Sequence, residues 1–441
     1  MTPLYDALRA YTDSDPVRFH MPGHKGKPIP IPGLDTAARL DVTELSSTGN
    51  LYCAGEPFDR AQQLWAERFG FESCQFLTGG STMGIYTGLA LCCAPGDQIL
   101  VDRGCHQAVF HAMALLELEP VYLERPWLRE ENLAGPISLP AVEEALSLHP
   151  NIKTICITSP TYAGVLSDVG GISTLARRQG KKLFVDGAHG AHLPFLGLTP
   201  FQGADAAVVS AHKTLPALGQ SALLFTNGID PLRVRRAASV FGTSSPSYLI
   251  LASIDASRAW LEENGGAEGY QLTALRVAEL RRRFPSLGSS QREGLALDPT
   301  RFTLSARDGR ALAEQLEREG IVPEMSDSGH VVLICTPQDL DSSLSRLESA
   351  LEQHRDQLGP GPAIPPPPLP RRVCSVRQAV FGETEVLPLE QCEGRAAAYQ
   401  LAPYPPGVPV VAPGELITKK ELSYLNKIGY NNQEVSVVLR R

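Results

Sequence analysis

Between about residues 70 and 226, short apolar runs rich in β-branched residues alternate with segments of helical period, and no other feature restricts the fold as tightly. The runs are Cys74–Thr78, Gln98–Asp102, Pro120–Leu123, Thr154–Thr158, Leu183–Asp186, Ala206–Ser210 and Ala222–Thr226. Helices are expected over 81–93, 105–117, 138–148 and 170–180. Strands spaced by helices imply right-handed crossovers. The expected fold class is therefore α/β, with a mainly parallel seven-stranded sheet covered by helices. In such sheets the chemistry gathers at the carboxyl ends of the strands.

Beyond this large domain the pattern changes. Tyr248–Glu263 reads as a long helix, and a basic amphipathic one is expected around 268–283. Arg310–Gly320, Val331–Thr336 and Leu340–Gln357 suggest a smaller α/β unit. Residues 359–370, with Pro365–Pro368 at their centre, read as a stiff polyproline-like connector. The tail carries Tyr404-Pro405-Pro406-Gly407 and Pro413-Gly414-Glu415. The expected organisation is an N-terminal segment 1–70, a large domain 71–265, a small α/β domain 266–358, the connector 359–370 and a C-terminal module 371–441, without internal repeats.

Composition narrows the function. Acidic residues number 48 against 40 basic ones, and no block is strongly basic. A nucleic-acid partner bound by neutralising phosphates is not expected. No run of about 18 apolar residues occurs, so a membrane span is not expected either. Met1-Thr2-Pro3-Leu4-Tyr5-Asp6 lacks the basic-then-apolar pattern of a signal peptide. The nine cysteines include no Cys-x-x-Cys pair. Neither a disulfide framework nor a metal site is expected, and the chain reads as cytoplasmic.

Three strand ends carry chemistry. Thr78-Gly79-Gly80-Ser81-Thr82-Met83-Gly84 follows a strand and opens a helix. Glycines there admit close approach of a ligand, and the first-turn N–H groups with two hydroxyls suit an anion. A tight strand–helix turn with an N-cap is the structural alternative. Leu183-Phe184-Val185-Asp186 ends in a carboxylate, followed by Gly187-Ala188-His189-Gly190-Ala191-His192. A charge at a buried strand end requires a partner. His189 and His192 as metal ligands are disfavoured by Gly190 between them. Ala206–Ser210 leads into Ala211-His212-Lys213-Thr214. A lysine desolvated at that place has a nucleophilic amine suited to imine formation, whereas a sheet-edge cap is the plainer reading.

Taken together, the three ends supply an anion cradle, a carboxylate and, 27 residues after it, an amine. Pyridoxal 5'-phosphate requires those three groups: a phosphate site, an acid for its ring nitrogen and a lysine for the Schiff base. His106, after the run Gln98–Asp102, is placed to stack on the ring, or else simply opens the next helix.

Six motifs appear in order: Phe19–Gly26 (FHMPGHKG), Asp41–Glu44 (DVTE), Ser159–Gly164 (SPTYAG), Asp186–His192 (DGAHGAH), Ser210–Thr214 (SAHKT) and Pro413–Glu415 (PGE). The set closely resembles the pyridoxal-phosphate-dependent Orn/Lys/Arg decarboxylase family of fold type I, over about residues 1–430. Thr243–Tyr248 also fits the family's segment after the lysine. The resemblance implies that Lys213 is the Schiff-base lysine and that Asp186 pairs with the pyridine nitrogen. It implies that Gly80, Ser81, Thr82, Ser210 and His212 surround the phosphate or ring, that His106 stacks on the ring, and that His189 lies near the ring oxygen. A homodimer is implied, with Ser245 or Ser247 reaching the neighbouring site. The implied reaction is decarboxylation of arginine, lysine or ornithine to the corresponding amine, within polyamine biosynthesis. Lys213 or His212 would return the proton to Cα.

The sequence departs from the family at three places: Gly187 replaces the usual acidic residue, Gln107 the usual lysine, and Gly219 a common threonine. In extent the sequence resembles the family's short members, and the N-terminal wing of the long inducible forms is not expected. Two other readings stay open. One is another fold-type-I reaction, transamination or aldol cleavage, with Arg371, Arg372, Arg377 or Arg395 gripping a carboxylate. The other is a catalytically silent cofactor-binding paralogue. For the distal cation of a basic substrate, Glu44, Glu383, Glu385 and Glu415 are the acidic candidates, although a solvated surface carboxylate is the plainer reading of each.

Overall fold

The computed structural model describes residues 1–29, 37–289, 295–339, 341–403, 409–430 and 434–439. Tyr404, Pro405, Pro406 and Gly407 lie outside the described residues, as does Leu340. The expected strands are present as β1 (Ser73–Leu77), β2 (Gln98–Asp102), β3 (Glu119–Leu123), β6 (Ile152–Thr158), β7 (Lys182–Asp186), β8 (Ala206–Ser210) and β9 (Ala222–Thr226), with a two-residue ladder β4 (Trp127–Leu128) and β5 (Leu133–Ala134) between β3 and β6. They form a seven-stranded sheet of order β1-β9-β8-β7-β6-β2-β3. The pairs β2–β3, β2–β6 and β7–β8 are parallel, whereas β9 runs antiparallel to both β8 and β1. The reason is connection length. Only residues 211–221 join β8 to β9, too few for a helical crossover, so the chain turns back on itself.

The chain divides into two compact units, one comprising Met1–Cys92 with Phe184–Gln271, the other Cys93–Leu183 with Leu272–Arg441. In the first, α3 (Gly80–Cys92) packs directly on β7 and β8 through glycines one turn apart. A Cβ at Gly84 would stand 2.3 Å from Val208 Cγ2, and one at Gly88 2.1 Å from Phe184 Cε2. Bare backbone is therefore required at both, despite the helix propensity it forgoes. The helices α1 (Pro3–Asp13), α2 (Phe58–Phe69), α8 (Pro231–Phe241) and α9 (Tyr248–Glu263) complete this unit, with the start of α10 (Gly266–Arg283).

The sequence reading does not anticipate α1, α2 or α8. One reason lies in how α1 is held: Asp255 on α9, fully buried, accepts hydrogen bonds from Leu4 N at 2.9 Å and Tyr5 N at 3.1 Å. Free first-turn amides and a carboxylate stabilise one another. A cap supplied from 250 residues away leaves no local signature. Burial pushes the Asp255 carboxyl up to about 6 against the opposing pull of those amides.

In the second unit, α4 (Gln107–Leu115), α5 (Leu139–Leu148) and α6 (Val169–Arg178) accompany β2, β3 and β6. The smaller domain is an antiparallel sheet of β10 (Arg301–Ser305), β12 (His330–Ile334) and β11 (Met325–Ser326), with α11 (Gly309–Arg318) and α12 (Asp341–Gln353). Phe284, Phe302, Leu304, Leu312, Val331 and Leu351 form its core. The last module pairs β13 (Thr384–Pro388) with β14 (Glu434–Val438), beside α13 (Val376–Phe381) and α14 (Lys419–Lys427), over a separate core that includes Leu401, Val411, Ile417 and Val437. The proline-rich connector is anchored: Trp127 Nε1 donates to Ile364 O at 3.1 Å, and Ile364 N donates to Asn132 Oδ1 at 3.1 Å.

Two consequences are testable. Gly88→Ala is expected to destabilise the protein by about 1–3 kcal/mol through overpacking on Phe184, read by denaturant unfolding. For Asp255, the folded-state value of about 6 lies above its ordinary 3.8. The folded protein thus binds this proton more tightly; the associated stability is fully present below about pH 4 and is lost as pH rises through about 6. Asp255→Asn should remove about 3 kcal/mol of that decline when unfolding of variant and wild type is compared across pH 4–7.

Candidate active site

Strand register brings the sequence motifs together. Ala222, the first residue of β9, pairs with Leu77 on one side and Ser210 on the other. The carboxyl ends of β1 and β8 therefore meet at one edge of the sheet. The parallel pairing of Asp186 with Val208 sets the end of β7 beside them.

Each end contributes as its local sequence dictates. Asp186 terminates the buried apolar run Leu183–Val185 of β7 and is 2% exposed, with Oδ1 accepting from Ala188 N at 3.1 Å. The following loop folds back onto β8 through Gly187 N to Val208 O, at 2.8 Å, and Ser210 N to Ala188 O, at 3.3 Å. Gly187 is explained by space. A Cβ there would stand 2.3 Å from Phe201 Cε1 and 3.1 Å from Val208 O, so no side chain fits at this position while Phe201 holds its place. At Gly219 a Cβ would meet nothing within 4 Å, and the structure gives no reason for its glycine.

The loop delivers His189, 6% exposed, with Nε2 3.2 Å from Lys213 Nζ. An ammonium only donates, so Nε2 accepts whenever Lys213 is protonated and the neutral ring carries its proton on Nδ1. Lys213 itself stands in α7 (Ala211–Thr214), the single helical turn after β8. His212 Nδ1 donates to Ser221 O at 2.9 Å, which leaves Nε2 as the nitrogen able to meet a ligand. Ser210 is fully buried, and its Oγ has no hydrogen-bond partner among the described residues; the same holds for Thr214 Oγ1 and Ser221 Oγ.

At the third end, Gly80 adopts φ +66°, and its N–H donates to Gln220 O at 2.8 Å. This places Ser81 and Thr82, both half-buried, in the first turn of α3. Sequence reading overlooked Gln220, whose own φ is +72°. It also overlooked Tyr270, whose hydroxyl donates to Thr214 O and whose ring lies 5.5 Å from His192. Nothing local to residue 270 signals that contact.

The other expected residues stand as follows. His106 is the N-cap of α4, exposed, with Nδ1 accepting from Ala108 N at 3.2 Å. Ser245 is exposed, and Ser247 caps α9 by accepting from Ile250 N at 3.4 Å. Among the acidic candidates, Glu415 is neither a surface carboxylate nor free for a ligand. It is 1% exposed and paired with Arg103 at 2.7 Å. Glu385 pairs with Arg395, and Glu44 accepts from Thr43 Oγ1. Three of the arginines considered as carboxylate grips are also engaged: Arg372 with Glu119 at 2.7 Å, Arg377 with Ala114 O at 3.3 Å, and Arg395 with Glu385 and Val438 O.

Comparison with known proteins places this geometry in a class. The family model described as Orn/Lys/Arg decarboxylase, major domain, matches residues 2–303, and its C-terminal domain matches 370–435. The chain belongs to that family. It is 32% identical over 460 residues to an arginine decarboxylase of Bacillus subtilis, covering 97% of this chain and 93% of the relative. A constitutive lysine decarboxylase of Escherichia coli is 23% identical, covering 96% of this chain and 76% of the relative. Among solved structures, the lysine decarboxylase of Francisella novicida superimposes with a TM-score of 0.84 at 20% identity, over all of this chain and 81% of that one. The fold is that of fold-type-I enzymes, with the mainly parallel sheet and smaller C-terminal domains as expected.

Gly187→Glu should destabilise the protein by about 1–3 kcal/mol through its clash with Phe201. In denaturant unfolding, Gly187→Glu/Phe201→Ala should be more stable than the sum of the two single changes.

Proposed function

We propose that this chain is a pyridoxal-phosphate-dependent decarboxylase of a basic amino acid, with arginine as its substrate. The observation that carries the reading is the meeting of Asp186, His189 and Lys213 at one edge of the sheet, beside the first turn of α3. Arginine is favoured over lysine because the arginine decarboxylases match at about 30% identity, the lysine decarboxylases at 22–23%.

The residues present suit the cofactor. Gly80 leaves open space where a side chain would stand, the first-turn amides and the Ser81 and Thr82 hydroxyls suit a phosphate, and the buried Ser210 Oγ lacks a partner among the described residues. Asp186, buried and acidic, would hold the ring nitrogen protonated. When bound, the cofactor supplies an electron sink for the bond electrons left behind as carbon dioxide departs.

The chain's own groups do the rest. His189 Nε2 takes up the proton of the Lys213 ammonium and exposes a nucleophilic amine. Lys213 Nζ, reprotonated from His189 Nε2, would deliver that proton to the substrate Cα. His212, whose Nδ1 proton is held by Ser221 O, would be a second donor through Nε2 only as the imidazolium, protonated on both nitrogens. On the family resemblance we also assign His106 to stack on the ring and Ser245 to serve the neighbouring site of a homodimer. We assign the product amine to polyamine synthesis and, from the sequence reading, the enzyme to the cytoplasm. Among the described residues no helix is long and apolar enough to cross a membrane.

The test is a visible absorbance scan of the purified protein, followed by assay of amines formed from arginine, lysine and ornithine. Wild type should show a cofactor band that is lost in Lys213→Ala, and agmatine should be the main product. A different single amine would replace arginine as substrate. A band with no amine would favour the transaminase or silent readings, and absence of a band with added cofactor would overturn the proposal.

A further inference from the structure

Arg103 sits three residues before His106, at the turn that leaves β2. The strand end itself is anchored without it. Asp102, fully buried, accepts from Arg125 Nε at 3.0 Å and Nη2 at 2.6 Å, from Gly104 N at 2.9 Å and from Thr158 N at 3.2 Å. Arg103 instead ties the turn to the C-terminal module, through Nη2 to Glu415 Oε2 at 2.7 Å and to Val410 O at 3.3 Å. Its guanidinium also lies 5.1 Å from the centre of the Tyr122 ring. The Glu415 carboxylate is fixed in turn by Ala412 N at 2.7 Å. Burial pushes that carboxyl up to about 7, with the Arg103 charge pulling it down.

A buried pair of this kind is a poor source of net stability, because a well-packed apolar pair is often equally stable. What it supplies is a defined distance and direction, and severing it leaves one charge uncompensated. Only Gly104 and the buried Cys105 separate Arg103 from His106. The turn is closed by Cys105 N to Asp102 O at 3.0 Å, and the His106 ring is held by Ala108 N. A shift of Arg103 therefore passes to His106 with little chain to absorb it.

We propose that Arg103 and Glu415 are a positioning pair: the Pro413-Gly414-Glu415 turn of the C-terminal module sets the segment that presents His106. The proposal rests on the decarboxylase reading above, in which His106 meets the cofactor. Neither Arg103 nor Glu415 is a catalytic residue in this account.

The experiment uses holoenzyme and four variants: Glu415→Gln, Arg103→Lys, His106→Ala and His106→Ala/Glu415→Gln. Each is read by circular dichroism of the bound-cofactor band, by kcat and KM, and by thermal midpoint. Displacing a positioned group by about an ångström is enough for up to about 100-fold in rate, so Glu415→Gln should lower kcat about tenfold or more with KM within about twofold. Its dichroic band should shift toward that of His106→Ala, and the double variant should be no worse than His106→Ala alone. Arg103→Lys, which keeps the charge but loses the Nη2 that reaches both Glu415 and Val410, should fall between wild type and Glu415→Gln. If Glu415→Gln does not fold, Arg103→Lys carries the same comparison. A change in thermal midpoint alone, with band and kcat at wild-type values, would reduce the pair to a structural role and overturn the proposal. Additive losses in the double variant would overturn it as well. If His106→Ala leaves both band and kcat unchanged, His106 falls outside the site and the positioning role falls with it. The decarboxylase reading then stands or falls separately on Lys213→Ala.

Discussion

A carboxylate at the end of an apolar strand is the constraint around which the site is built. Asp186 closes β7 with almost no solvent exposure, and an unsatisfied charge there would be strongly destabilising. The chain answers by bending residues 187–192 over the strand end, so that Ala188 N meets the carboxylate and Gly187 N returns to β8. That bend admits no side chain at position 187, because Phe201 fills the space. The same bend brings His189 to the amine of Lys213. Backbone satisfaction and site assembly are thus one arrangement.

The antiparallel strand β9 has a comparable part. An all-parallel continuation after β8 would need a crossover helix and would carry the chain away from the site. The short return through residues 211–221 instead keeps Lys213, Gln220 and Ser221 beside Ser210. It also makes Ala222 the common neighbour of two strand ends. Gln220 O then fixes Gly80 N, so the loop that follows the lysine shapes the turn that opens α3. Glycines at 84 and 88 let that helix lie close enough for its first turn to stand at the sheet edge.

Much of this is legible in sequence because strand ends in an α/β sheet announce themselves. An apolar run that stops at Asp186 or at Ser210 marks both a boundary and a chemical group. The same signal was present at Arg103, a basic residue directly after β2, and reading it as seriously as Lys213 would have singled it out. Glu415 was misread for a different reason. A carboxylate in a Pro-Gly-Glu turn looks solvated until the arginine 312 positions earlier is known to face it. The N-terminal helix was missed because its amides are capped by Asp255 rather than by a residue of its own.

The sequence by itself determined the fold class, the succession of strands along the chain and the identity of the groups at their ends. These follow from local periodicity and from the chemistry of single side chains, both of which are written along the chain. The tertiary structure decided which of those groups meet. Register set Ala222 against both Leu77 and Ser210, and steric volume at Phe201 accounted for the glycine at 187. Burial turned Glu415 from a candidate substrate ligand into the partner of Arg103. Pairings of this kind depend on distances between residues far apart in the chain, and periodicity carries no record of them.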